Sequence, residues 1–175
     1  MIIEIERLIA DWLGHEDVSK TDGVNDYLPG IPRDAGDSQP TVLAAVYDET
    51  RDDCVASRND PPNTPCLYLV QDSPMTLAGE VETQVRDSDD AVLAIRYLTT
   101  SYDTAQGIQD TSYTLRAVVK SLRALTQASS AERTRNSVCL LAIHDIVFVP
   151  ITEAVGDSHV TGALVVTLEV RDAAP

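Results

Sequence analysis

Lysine is nearly missing from this sequence. Lys20 and Lys120 are the only two, and Lys and Arg together number 13 against 28 Asp and Glu. The net charge of −15 argues against a general nucleic-acid binder, because phosphate contacts need a positive surface. It equally disfavours an anionic membrane. Aromatic residues are scarce, with one Trp and one Phe, so the core must be built from Val, Leu, Ile and Ala. No apolar run approaches the ~20 residues that span a bilayer. Three cysteines, Cys54, Cys66 and Cys139, form no CxxC pair, which argues against a disulfide framework or a zinc cluster. Cys54 and Cys66 flank a Pro-rich loop and have the option of pairing, although reduced thiols suit a cytoplasmic chain better. The opening MIIEIERLIADWLG holds acids within its apolar stretch and has no basic start, unlike a secretory signal. The expected compartment of synthesis is therefore a cytoplasm.

What is present reads as one domain over residues 1–175, since 175 residues with 43% hydrophobic content suffice for a single core. Ile2, Ile5, Leu8, Ile9 and Trp12 recur at helical spacing over 2–13, with Gly14 as the stop. A Gly-, Pro- and Asp-rich connection follows over 14–40, with a short strand or turn expected around Tyr27 and Leu28. TVLAAVYDE (41–49) suits either a strand or a short helix. A second long loop covers 51–65, and CLYLVQD (66–72) reads as a buried strand. In GEVETQVRD, Val81, Thr83 and Val85 alternate with Glu80, Glu82, Gln84 and Arg86. That segment, the acidic turn DSDD (87–90) and AVLAIRYLTTS together predict a hairpin.

A long helix is expected from Thr104 to Ala128, capped by Asp103. Ile108, Leu115, Val118, Val119, Leu122 and Leu125 form its apolar stripe. Two apolar strands, 137–145 and 146–154, then lead through Gly156-Asp157-Ser158 into a strand with Leu164, Val166, Leu168 and Val170 on one face. Strands and helices do not alternate regularly. The order predicts an α+β fold: a mostly antiparallel sheet packed by one long helix, with an additional N-terminal helix and long loops.

Catalytic signatures are weak. Gly36-Asp37-Ser38 and Gly156-Asp157-Ser158 resemble a hydrolase nucleophile turn, but neither has the context that activates a serine, and turn residues explain both. His144-Asp145 lacks the further ligands of a metal site, and His15 and His159 do not supply the spacing. The acids Asp48, Glu49, Asp52 and Asp53, and Asp87, Asp89 and Asp90, lack the spacing of a calcium loop and read as solvated loop acids. No Gly-rich phosphate loop is present. The expectation is a protein that is not an enzyme and needs no cofactor or metal.

The unusual feature is cationic. Arg116, Lys120 and Arg123 fall four and three residues apart, which stacks them along one helix face, and Arg133 and Arg135 extend the segment. Such charges serve either as the solvated face of a half-buried helix or as a subunit interface. An acidic protein that self-associates must place its few cations at the seams.

In its layout the chain resembles the tail-terminator (tail-completion) proteins of long-tailed bacteriophages and related viruses. The resemblance rests on the helix IIEIERLIADWL, the segment TVLAAVYDE and the hairpin EVETQVRDSDDAVLAIRYL. The long helix DTAQGIQDTSYTLRAVVKSLRALT and the closing strand GALVVTLEVRD complete it, so that it covers most of the chain. It implies a homo-oligomeric ring, usually of six subunits, that ends tail-tube growth and contacts the tail-tube protein and the head-side connector. It also implies a place in the virion tail or neck after assembly in the host cytoplasm. DNA would pass through the ring without specific binding. Six copies at −15 each would carry −90, and an acidic lumen lets a polyanion slide. Competing readings are another neck or tail-tube component such as a head-completion protein, a small hydrolase, or an acidic DNA-mimic regulator.

Overall fold

A computed structural model describes residues 2–52, 63–71 and 89–172. Helix α1 spans Ile2–Leu13, as its apolar spacing predicts, with Ile5, Leu8, Ile9 and Leu13 buried. It ends at Gly14, whose φ of 125° only glycine adopts cheaply. Both Gly14 and His15 donate backbone hydrogen bonds to the Ala10 carbonyl. The expected strand or turn near Tyr27 is instead helical: α2 (Val24–Tyr27) runs into a 3₁₀ turn at Leu28–Gly30. Its hold is tertiary, because Val24 and Leu28 are buried in the main core.

Strands β1 (Ala45–Asp48), β2 (Cys66–Gln71) and β3 (Asp89–Thr99) precede the 23-residue helix α3 (Ala105–Gln127). After it come β4 (Thr134–Arg135), β5 (Val138–Val149), β6 (Glu153–Val155) and β7 (Ser158–Asp172). The seven strands form one sheet in the order β1-β2-β3-β7-β5-β4, with β6 also paired to β7. The α+β class therefore holds, but the sheet is mixed where a mostly antiparallel one was expected: β1 and β2 run parallel. A parallel pair needs a long crossover, and the Pro-rich 51–65 segment gives the chain that length. The helical layer is also shared, α1 and α2 packing beside α3, so no single long helix covers the sheet.

Other boundaries moved for local reasons. Thr104, not Asp103, caps α3: its backbone is extended and its Oγ1 accepts the Gly107 N–H at 3.0 Å. The two strands expected over 137–154 are largely one, β5, because register shifts near Leu140 and Ile143 absorb the polar His144-Asp145 pair without ending the ladder. Gly156-Asp157 does turn, with Gly156 at φ 58°. Asp89 and Asp90, placed in a turn by their composition, instead begin β3 opposite Val170 and Glu169. The first arm of the predicted hairpin, 79–87, lies outside the described residues, as does Cys54.

The main core fills the space between the helices and one sheet face. Leu67, Leu69, Leu93, Ile95, Leu164, Val166, Leu168 and Val170 meet Ile5, Ile9, Val118, Leu122 and Leu125 there. A smaller cluster of Tyr47, Cys66, Leu98 and Val160 sits apart from it. Because adjacent strand residues point to opposite faces, Tyr97 and Leu98 serve the two clusters from neighbouring positions. Among the described residues, no helix is long and apolar enough to cross a membrane.

Candidate functional site

The sequence-predicted cations do not form one patch. Arg116 and Lys120 reach over the 28–32 segment, Arg116 Nη1 lying 3.5 Å from the Pro32 carbonyl and Lys120 Nζ 3.2 Å from that of Gly30. Arg133 Nη1 donates to the Leu140 and Leu141 carbonyls, both at 3.4 Å, and Arg135 forms an ion pair with Asp11 of α1. Arg123 is exposed, and its side chain makes no hydrogen bond or ion pair among the described residues. The segment therefore splits: Arg133 and Arg135 tie down the β4–β5 start, while Arg116 and Arg123 border a groove.

That groove, about 790 Å³, runs between α3 and the strands β5 and β7. Leu115, Val119 and Leu122 line it from the helix, and Ile143, Ile146 and Leu164 from the sheet. Arg116, Arg123 and His144 add charge or polarity, while Ile108 and Phe148 contribute apolar surface. Both are large and open, at 66% and 53% exposure. One end is drawn in by Gly162: a Cβ there would meet Thr111 Cγ2 at 2.9 Å, Leu115 Cδ1 at 3.1 Å and Phe148 Cε2 at 3.2 Å. Thr111 and Thr161 share a hydroxyl hydrogen bond of 2.7 Å across this closure.

Sequence reasoning missed the groove because it assigned Ile108 to the buried stripe of α3. The available signal was a sheet strand, IVFV, that ends in Phe148 and Val149 without a following helix to cover it.

A second concentration of charge joins α1 to the end of β1. Asp48 is fully buried, correcting the expectation of solvated acids. Burial alone would raise its pKa, but hydrogen bonds from Thr50 and Arg51, with the Arg51 charge, hold it below the usual carboxylate range. Its Oδ1 accepts the Thr50 N–H at 3.0 Å and hydroxyl at 2.6 Å. Arg51 bridges Asp48 to Asp11, the latter at 2.7 Å. His15 Nε2 lies 3.0 Å from Asp52 Oδ2, which also accepts the Asp48 N–H at 2.8 Å. His15, Asp48 and Asp52 offer ligand-type atoms within 4.8 Å of one another, the one metal-like grouping among the described residues. The Arg51 guanidinium already supplies the positive charge such a set would demand, so the arrangement works as a buckle between helix and strand.

The hydrolase candidates sit in separate bonding environments. Asp37 accepts hydrogen bonds from Gln109 Nε2 and the Tyr113 hydroxyl at the side of α3. His144 faces Glu169, 3.1 Å away across β5 and β7. No hydrogen bond joins the two among the described residues.

No protein-family model matches the chain, and comparison with curated proteins finds no match.

Proposed function

We propose that the chain is a structural virion protein. In this reading it forms a ring, of six subunits on the resemblance, at the head-proximal end of a viral tail tube. It ends tail polymerisation and joins the tail to the head-side connector, while DNA passes through an acidic lumen. The observation that carries this is where two of the few cations of a strongly anionic chain stand. Arg116 and Arg123 stand beside an open apolar groove, the combination a seam between like-charged subunits requires. The first helix, the long helix and the closing strand, three of the segments that carry the resemblance, support it; the first arm of the hairpin lies outside the described residues.

Negative-stain microscopy and solution mass of the purified protein test the reading. Closed rings are expected. A monomer at all concentrations removes the proposal, and open tubes would move the chain to the tail-tube class. In assembled particles, Arg116→Glu with Arg123→Glu is expected to break tail-length control, and unchanged tails would leave these cations as solvation only.

A further inference from the structure

Deepening the ring reading, on which it rests, we infer that the α3–β5 groove is a socket for a second copy of this chain. The next copy docks head to tail, through an extended acidic segment laid along the open edge of β5. Three observations meet here. First, β5 is an edge strand over most of its length. Among the described residues, β4 pairs with it only at Val138 and Cys139, and the Arg133 side chain covers the Leu140 and Leu141 carbonyls. From Ala142 to Val149 no strand pairs with the outer side among the described residues, which leaves a template of roughly 27 Å at ~3.4 Å per residue. Added strands bind such edges through main-chain hydrogen bonds, with alternate side chains seated in pockets.

Second, the pocket for those side chains is present. Ile146 and Phe148 face the groove opposite Leu115 and Val119, and Ile108 stands open at its rim. Val147 is 54% exposed, so the end of the strand presents apolar groups on successive residues.

Third, charge selects the occupant and its orientation. Arg116 and Arg123 put two positive charges on the groove of a molecule whose net charge is −15. Two such grooves brought face to face would oppose arginine with arginine, which disfavours a symmetric dimer that apposes them. The same cations attract the acidic remainder of another copy. A contact between unlike surfaces of identical chains closes into a ring or runs on as a filament.

The experiment compares solution mass by sedimentation for the full chain and four variants. Ile108→Asp, Phe148→Asp and Arg123→Glu alter exposed groove positions, while Val42→Asp alters an exposed apolar residue elsewhere. Circular dichroism verifies that each is folded. The groove variants are expected to weaken association about 10- to 100-fold, as loss of a central anchor or charge partner does. Val42→Asp should leave it unchanged. Rings that persist in all three folded groove variants overturn the socket and leave the ring reading standing. A parent chain that is monomeric throughout overturns both. Saturable uptake of dodecanoate by a monomer would assign the groove to a small amphipathic anion instead.

Discussion

Replacing Glu6 by Gln should change how stability depends on pH, and the size of the effect follows from where the carboxyl sits. Glu6 is on the inner face of α1, 2% exposed, with Oε1 accepting the Glu49 N–H at 3.1 Å. Burial first, then the charges of Glu49 and Asp48, push its pKa up to about 8 from an ordinary 4.5. Between those two values the folded chain holds a proton that the unfolded chain has released. The stability this group permits is complete below pH 4.5 and is lost as pH rises through 8. At ~1.4 kcal/mol per pH unit over that interval, the ionised carboxyl costs about 3–5 kcal/mol by about pH 9. Gln preserves the acceptor for Glu49 and cannot ionise. Urea unfolding of both proteins from about pH 5 to pH 9 is the assay. The curves should nearly meet at the acid end and separate steadily, the variant being the more stable at alkaline pH. Two parallel curves would refute the argument, because they would mean that water or a cation solvates Glu6 in the fold.

Two further substitutions test the packing. Gly107→Ala should destabilise despite alanine's helix preference of ~1 kcal/mol, since a Cβ would lie 1.9 Å from the Ser101 carbonyl oxygen. A net loss of about 1–3 kcal/mol in thermal unfolding is expected, and a gain would show that the start of α3 yields easily. Asp48→Ala removes the buried partner of Arg51 and the acceptor for Thr50. It should cost about 3–5 kcal/mol in urea unfolding, while Asp48→Asn, which keeps an acceptor, should cost less. Equal losses for the two would show that the charge contributes little beyond the hydrogen bonds.

Elements whose periodicity matched their burial were legible in the sequence. The α1 helix and β7 have one apolar face each. The β7 face of Leu164, Val166, Leu168 and Val170 is buried as expected. In α1, Ile5, Leu8 and Ile9 are buried, Ile2 and Trp12 only half so, and the buried Glu6, Ala10 and Leu13 were not foreseen. Long-range constraints were not legible. The parallel pairing of β1 and β2 depends on a crossover whose residues carry no pattern of their own, and α2 is too short for a period to show. Asp48 looked solvated because its neighbours are polar, yet those same neighbours, Thr50 and Arg51, fold back onto its carboxylate while Leu69 of β2 pairs beside it. The cationic spacing on α3 was plain, but only the fold shows that Lys120 turns toward the 28–32 segment while Arg123 turns toward the groove. Ile108 marks the limit most clearly: period alone assigns a residue to the inner stripe without saying how far the sheet extends beneath it.

The two charged regions divide the electrostatic work. At the β1 end, Asp11 and Asp48 are met by Arg51 and Arg135, and Asp52 by the His15 ring and the Asp48 N–H, so these groups largely satisfy one another inside the fold. They are poorly placed to attract a partner, because separating them would expose uncompensated charge in a buried setting. The exposed acids, including Glu16, Asp17, Asp26 and Asp34, keep their field toward solvent, and Arg123 keeps its own beside the groove. At −15 each, two copies repel at long range, so any electrostatic attraction between them must be short-range and come from solvent-facing groups such as Arg123 meeting these acids. Salt screens charges of that kind within about 10 Å at ~0.1 M, whereas the internal buckle is much less affected. Folding and association are thus separable in this molecule: raised salt acts on the contact between copies before it acts on the link between α1 and β1.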